Sequence, residues 1–163
     1  MVRLNEISLY SYKKGFGLRN AVQIGLCTEE NNTYFVNGGF KEEQIFASPT
    51  LEYFRKVLPY IVGATLFWID PIDYDMPSPG FHPTDVFKVI QEIRQRDFKN
   101  DFIIVDDLKF IQDRANPFYF ADMLDKQYRV ETSWTDFMSS FLGTHYAETK
   151  RFGSQGIMMF NPR

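Results

Sequence analysis

The chain has 163 residues, a formal net charge of -3 at pH 7, 44% hydrophobic residues and a single cysteine. This length predicts one domain over residues 1–163 with room for a substantial apolar core. An acidic chain without a cluster of Lys or Arg argues against nucleic-acid binding, and one cysteine excludes an internal disulfide. There is neither a signal-peptide pattern nor an apolar run of about 18 residues, so we expect a cytoplasmic protein without a membrane partner.

The first half of the chain alternates between segments of strand and helix character. The partial apolar alternation of Arg3–Tyr12 predicts a first strand, followed by a loop with two glycines at Lys13–Gly17. The apolar residues of Leu18–Thr28 favour a short helix, and Thr33–Val36 is interpreted as a second strand. Gln44–Ala47 is interpreted as a short third strand.

The second half contains the two clearest strands. A helix begins near Ser48–Pro49, where Ser suits the N-cap and Pro suits the first helical position. The continuous apolar run at Ala64–Ile69 is typical of a central strand that is covered on both faces, and Asp101–Val105 is a second such run. A helix that is capped by Thr84 and ends near Arg96 connects the two strands.

The end of the chain adds one more helix and two strands. Pro117–Lys126 favours a helix, and Tyr128–Thr132 and Gly156–Phe160 are interpreted as closing strands. The alternation of strands and helices predicts an α/β fold. We expect a Rossmann-like, mostly parallel sheet with helices on both faces and a C-terminal antiparallel hairpin.

Both apolar strands end on acidic residues, at Asp70 and at Asp106–Asp107. Ligands of open α/β sheets bind outside the carboxyl ends of the strands. Carboxylates brought together there repel one another unless a cation lies between them, and oxygen ligands indicate a hard ion such as Mg²⁺. The alternative is that these acids cap helices or pair with Arg and Lys side chains. The loop after Asp70 contains Asp73 and His82, and His82 suits a general base or a metal ligand.

The motifs ATLFWID and NDFIIVDDLKFI, joined by a loop and a helix, resemble the second half of class I S-adenosylmethionine-dependent methyltransferases. The resemblance is greatest to the sugar O-methyltransferase and macrocin-type groups. SPTLEYFRKVLPYI is similar to the helix that precedes the Asp strand in those groups, and YRVETSW with SQGIMMFNP resembles their final hairpin. The resemblance covers residues 44–163 and implies a Rossmann-like sheet of seven strands.

This resemblance implies a small-molecule or glycan substrate and S-adenosylmethionine as the cofactor, whose methyl group is transferred to a sugar hydroxyl. It implies that Asp70, Asp106 and Asp107 hold Mg²⁺ or another divalent cation, which orients the acceptor and lowers the pKa of its hydroxyl. A nearby base then takes the proton, and the candidates for that base are Asp73 and His82.

The first half of the chain matches the family pattern less closely. In the family the first strand is followed by a glycine-rich motif of the kind E-x-G-x-x-x-G, whereas Glu6–Ile7–Ser8 has Ser in the first Gly position. Asn37 stands where an acid usually binds the ribose of the cofactor, and the usual second helix is missing. On this interpretation, the expected cofactor-binding residues are Glu6, Ser8, Tyr10, Gly15, Gly17, Asn37 and Ser48.

Three functions stay open on the sequence. The first is a methyltransferase with a trimmed first half. The second is a Rossmann-like binding domain without catalysis, which the incomplete glycine motif and Asn37 favour. The third is a nucleotide-sugar glycosyltransferase with a metal ion at the aspartates. Thermal stabilisation by adenosyl ligands or by nucleotide sugars would discriminate between them, because a ligand that binds only the folded state stabilises it.

Overall fold

The computed structural model describes residues 9–73, 76–77, 80–81, 85–96, 100–106, 148–150 and 157–160. The helices in these parts of the chain are α1 (Leu9–Phe16), α2 (Glu29–Asn37), α3 (Leu51–Val57) and α4 (Asp85–Arg94). The strands are β1 (Asn20–Gly25), β2 (Ile45–Ser48), β3 (Thr65–Asp70), β4 (Ile72–Asp73), β5 (Met76–Pro77), β6 (Phe102–Val105), β7 (Glu148–Lys150) and β8 (Ile157–Phe160). Short 3-10 helices lie at Glu42–Gln44 and Leu58–Tyr60.

Four strands form a parallel sheet in the order β2-β1-β3-β6. β8 lies antiparallel beside β6 and pairs with β7, and the short strands β4 and β5 pair with each other. β1 is therefore flanked on both sides by parallel strands. Of the predicted closing elements, Pro117–Lys126 and Tyr128–Thr132 lie outside the described residues, so the hairpin with Gly156–Phe160 stays a prediction.

Helices cover both faces of the sheet, which confirms the predicted α/β class with a parallel sheet. One apolar core lies between the sheet and helices α3 and α4, and a second lies between the sheet and helices α1 and α2. Members of the first core are Val22, Phe54, Ile69, Val89 and Val105. Members of the second core are Leu9, Phe35, Leu66, Trp68 and Phe102. Burial on both faces explains why β3 and β6 are continuous apolar runs.

The elements predicted around these two runs are confirmed, with small differences at their ends. The helix after β2 begins two residues later than predicted, because Thr50 and not Ser48 is its N-cap. The Thr50 hydroxyl accepts a hydrogen bond from the Tyr53 N–H at 3.0 Å. α4 lies between β3 and β6 as predicted.

Of the elements predicted for the first half, the short strand at Gln44–Ala47 is confirmed as β2 (Ile45–Ser48), and the others are wrong. Residues 9–12 of the predicted first strand are helical, the predicted helix at Leu18–Thr28 contains β1, and the predicted strand at Thr33–Val36 lies within α2. Two polar residues, Asn20 and Gln23, interrupt the apolar pattern of β1 in the sequence. Both are buried in the strand because their side chains are hydrogen-bonded.

A buried ion pair ties the amino ends of β3 and β6 to the turn before β3. The Arg96 Nε donates to Asp101 Oδ2 at 2.8 Å, and its Nη atoms donate to the carbonyls of Ile61 and Gly63 at 2.8 and 2.9 Å. Asp101 Oδ1 accepts from the Thr65 N–H at 2.9 Å. Burial raises the pKa of Asp101 to about 6, while the hydrogen bonds from Arg96 and Thr65 act in the opposite direction.

Arg96→Lys is expected to lower the free energy of unfolding by about 2–3 kcal/mol, because a lysine cannot hold the carboxylate and two carbonyls at once. Arg55→Lys is the matched control, since Arg55 pairs with Glu92 at the surface, where exchange costs below about 0.5 kcal/mol. Urea unfolding of both variants measures the difference. Equal losses of stability would show that the Arg96 network contributes no more than a surface pair.

Candidate functional site

Two carboxylates lie side by side at the carboxyl edge of the sheet. Asp70 is the last residue of β3, and Asp106 directly follows β6. Ile69 is opposite Val105, and the Asp106 N–H donates to the Ile69 carbonyl at 2.8 Å, so the next residues of the two strands are neighbours. Asp70 is 4% exposed and Asp106 is 1% exposed. The structure thus brings together two of the three predicted metal ligands, and Asp107 lies outside the described residues.

Both carboxylates belong to the same face of the sheet. Side chains alternate along a strand, so Asp70 shares the face of Trp68, and Asp106 shares the face of Ile104. Neighbouring strands are about 4.8 Å apart, so the backbones of the two aspartates are close neighbours. In the part of the chain that the structure describes, no three His, Cys, Asp or Glu side chains form a group that could hold a metal ion.

β1 ends at a glycine whose position excludes any side chain. Gly25 has a φ of +89°, and a Cβ at this position would lie 2.2 Å from the Asp70 carbonyl oxygen. The next residue, Leu26, donates its N–H to the same carbonyl at 2.8 Å. The same Cβ would also lie 3.2 Å from the ring of Phe81, which is buried. The ends of β1 and β3 therefore meet at one point with Phe81, which lies in the loop after β5.

The side chain of Gln23 holds the loop between β1 and α2. Its Oε1 accepts from the Thr28 N–H and its Nε2 donates to the Thr28 carbonyl, both at 3.0 Å. The same Nε2 donates to Asn32 Oδ1 on α2. The Thr28 hydroxyl in turn caps α2 by accepting from the Asn31 N–H at 3.1 Å. The loop and the start of the helix are therefore tied to the central strand.

Cys27 lies half-buried in this loop, beside Asp70 and Ser48. Burial raises the pKa of the Cys27 thiol to about 11; a hydrogen bond with the Ser48 backbone lowers it, and the charge of Asp70 raises it further. The thiol donates to the Gln23 carbonyl at 3.5 Å. Cys27 is therefore protonated at neutral pH, which is unsuitable for a nucleophile.

Ser48 was predicted as a cofactor residue, and the structure places it at the same edge. It ends β2 opposite Ile24 of β1 and is fully buried. Among the described residues its hydroxyl has no hydrogen-bond partner, and the same holds for Trp68 Nε1. A buried polar group without a partner costs about 1–3 kcal/mol.

Four other predicted cofactor residues lie towards the opposite edge of the sheet. α1 precedes the amino end of β1, and its Phe16 stacks on Phe102 at the amino end of β6, with 5.2 Å between ring centroids. α2 begins after the carboxyl end of β1 and leads back to the amino end of β2. The structure therefore does not bring the following residues to Asp70: Tyr10, Gly15, Gly17 and Asn37.

The remaining predicted residues are only partly covered. Asp73 belongs to β4, three residues beyond Asp70. Glu6, Ser8 and His82 lie outside the described residues.

The residues that position the β1–α2 loop at this edge were not predicted from the sequence: Gln23, Gly25 and Thr28. A signal for them is present, because Thr28 is followed by Glu29 and Glu30, and a threonine before two acids is typical of a helix start. Together with the apolar alternation of Val22 and Ile24, this indicates a strand, a turn and a helix.

Comparison with protein-family models gives no match for this chain, and comparison with curated proteins gives none either. Within the described ranges, no helix combines the length and the apolar character needed to cross a bilayer. The function therefore has to follow from the geometry of the site.

Gly25→Ala is expected to lower the free energy of unfolding by about 3 kcal/mol or more, because the new Cβ collides with the Asp70 carbonyl and the backbone is left-handed. Gly15→Ala is the control: a Cβ there meets nothing within 4 Å, and alanine favours helix α1 by about 0.5–1 kcal/mol. Thermal unfolding should therefore show opposite shifts. A neutral Gly25→Ala variant would contradict the close approach.

Cys27 is expected to react slowly with a thiol reagent in the folded protein. A rise in pKa from 9.0 to about 11 lowers the thiolate fraction near pH 8 by about a hundredfold relative to the unfolded chain. Since Cys27 is the only cysteine, the reaction rate in buffer and in denaturant measures this directly. Equal rates in the two conditions would show that the loop does not shield the thiol.

Proposed function

We propose that the protein is an S-adenosylmethionine-dependent O-methyltransferase that acts on a sugar or glycan hydroxyl with the help of a divalent cation. The observation that carries the proposal is the juxtaposition of Asp70 and Asp106 with the β1–α2 loop. This loop follows β1, which has β2 on one side and β3 on the other. A crevice at such a reversal of strand order is the usual ligand site of an open α/β sheet.

The end of β1 supports the cofactor part of the proposal. The observed first strand of the sheet ends in Gln23–Ile24–Gly25, so the glycine of the E-x-G pattern is present there, with Gln in place of Glu. The position predicted from the sequence, Glu6–Ile7–Ser8, lies outside the described residues. The loop after Gly25 begins at the carboxyl edge of the sheet, and its backbone supplies polar groups for a ribose or an amino acid moiety.

The two buried aspartates support the cation part. Mg²⁺ in proteins often takes only one or two carboxylates and keeps several waters, so Asp70 and Asp106 fit such an ion. When bound, the ion acts as a Lewis acid that lowers the pKa of an acceptor hydroxyl. The contribution of the chain is to hold both carboxylates on neighbouring strands, with each backbone fixed by a hydrogen bond of 2.8 Å. Asp73 and His82 remain the candidate bases for the acceptor proton.

A Rossmann-like binding domain without catalysis is the second candidate. The replacement of the motif acid by Gln23 favours it, because the Gln23 amide is hydrogen-bonded to Thr28 and Asn32 and brings no carboxylate to a cofactor. Both candidates use the same edge of the sheet, and only the first requires the aspartates to act on a substrate.

S-Adenosylmethionine and S-adenosylhomocysteine, each at about 1 mM, are expected to raise the melting temperature. A ligand at about 100 times its Kd stabilises the fold by about 2.7 kcal/mol, or roughly 5–10 °C for a chain of this size. UDP-glucose with Mg²⁺ is the comparison ligand. A shift with UDP-glucose and none with the adenosyl ligands would favour a glycosyltransferase over a methyltransferase. No shift with any of these ligands would contradict both of these enzyme assignments.

Mg²⁺ is expected to stabilise the wild-type protein, and Asp106→Asn is expected to reduce that stabilisation strongly, because one of the two negative charges that attract the cation is lost. Glu92→Gln on α4 is the control and should respond to Mg²⁺ as the wild type does, since Glu92 pairs with Arg55 outside the site. Melting curves with Mg²⁺ and with a chelator measure the effect. A response retained in Asp106→Asn would mean that the ion binds elsewhere.

A further inference from the structure

Gln23 is a polar side chain in the middle of β1, between β2 and β3. It is fully buried, with Trp68 opposite on β3 and Ala47 opposite on β2. An apolar side chain at this position would need no hydrogen-bond partners, whereas a buried amide left unpaired costs about 1–3 kcal/mol. The amide therefore needs partners inside the protein, and the identity of those partners indicates its role.

The hydrogen bonds of the Gln23 side chain all go to the β1–α2 loop and the start of α2. The amide accepts from the N–H of Thr28 and donates to the carbonyl of the same residue, and it also donates to Asn32. An acceptor and a donor at the end of one side chain are a property of an amide. A carboxylate could not donate to the Thr28 carbonyl, and a methionine could form neither bond.

The loop is held at both of its ends. At its start, Leu26 donates to the Asp70 carbonyl at 2.8 Å, directly after the close approach of Gly25. At its end, the backbone of Thr28 is held by Gln23. The stretch Leu26–Thr28 therefore has a defined position at the carboxyl edge of the sheet, beside Asp70.

We infer that Gln23 is a positioning residue that holds Leu26–Thr28 in the conformation that receives the ligand at the carboxyl edge. Its side chain touches the loop and not the ligand, so it acts on affinity through the backbone of Thr28. The inference rests on the proposed function for the identity of the ligand alone.

The first experiment compares the Kd of S-adenosylhomocysteine for four proteins by calorimetry: the wild type, Gln23→Met, Asn32→Ala and Ile24→Val. Gln23→Met removes the hold on Thr28 and is expected to weaken binding by about tenfold or more. Asn32→Ala removes one of the three bonds and leaves both bonds to Thr28, so its Kd should change by less than about threefold. Ile24→Val destabilises the same strand from its other face and should leave the Kd unchanged.

Gln23→Glu provides a variant of similar size in case Gln23→Met does not fold. Its carboxylate retains the acceptor for the Thr28 N–H and lacks the donor for the Thr28 carbonyl, and a protonated carboxyl group restores that donor. Its affinity for S-adenosylhomocysteine, relative to the wild type at each pH, should therefore improve as the pH is lowered from 8 to 5. A residue that only stabilises the fold would not produce this recovery.

The second experiment needs no ligand and measures the reaction of Cys27 with a thiol reagent. Cys27 lies inside the held stretch, so Gln23→Met should increase the rate by about tenfold over Ile24→Val, because a released loop exposes the thiol. Equal rates in these two variants would overturn the inference, whatever the ligand.

The two experiments separate the inference from the proposed function. If the wild type binds S-adenosylhomocysteine and Gln23→Met binds it equally well, the inference is wrong and the proposed function stands. If the wild type does not bind it, the proposed function is wrong, and the Cys27 rates alone decide whether Gln23 holds the loop.

Discussion

The candidate site depends on one backbone contact, where the end of β1 comes against the carbonyl of Asp70. Only a residue without a Cβ fits there, and Gly25 provides both the space and the left-handed φ. β3 ends at this aspartate, and the β1–α2 loop begins with the hydrogen bond from Leu26 to its carbonyl. Phe81, in the loop after β5, packs against the same contact. Three segments of the chain therefore meet there.

The buried polar groups at the two edges of the parallel sheet differ in their hydrogen bonding. At the amino edge, Arg96, Asp101 and Thr65 satisfy one another and nearby carbonyls, which joins the turns to the strands. At the carboxyl edge, two aspartates lie next to each other and the hydroxyl of Ser48 has no partner within the described residues. The amino edge thus holds a network that joins the turns to the strands, and the carboxyl edge holds acidic groups suited to a ligand.

The aspartate pair could be predicted because it depends on local patterns alone. Two continuous apolar runs that each end in an acid indicate parallel strands, and the carboxyl ends of such strands lie at a common edge. The cofactor side of the site could not be predicted in the same way. Its position depends on which segment forms the strand between β2 and β3. That strand is β1, and the polar residues Asn20 and Gln23 interrupt its apolar pattern in the sequence.

The sequence by itself determined β3, β6, the helices α3 and α4, and the placement of Asp70 and Asp106, because apolar periodicity and capping residues act over a few neighbouring positions. The tertiary structure decided that β1 lies between β2 and β3 and that Thr33–Val36, despite its β-branched and aromatic residues, belongs to α2. The hydrogen bonds of Gln23 to Thr28 and Asn32 and the burial of Phe35 against the sheet exist only once the strands have assembled. Those contacts outweigh the intrinsic helix and strand preferences of single residues, which amount to about 1 kcal/mol or less each.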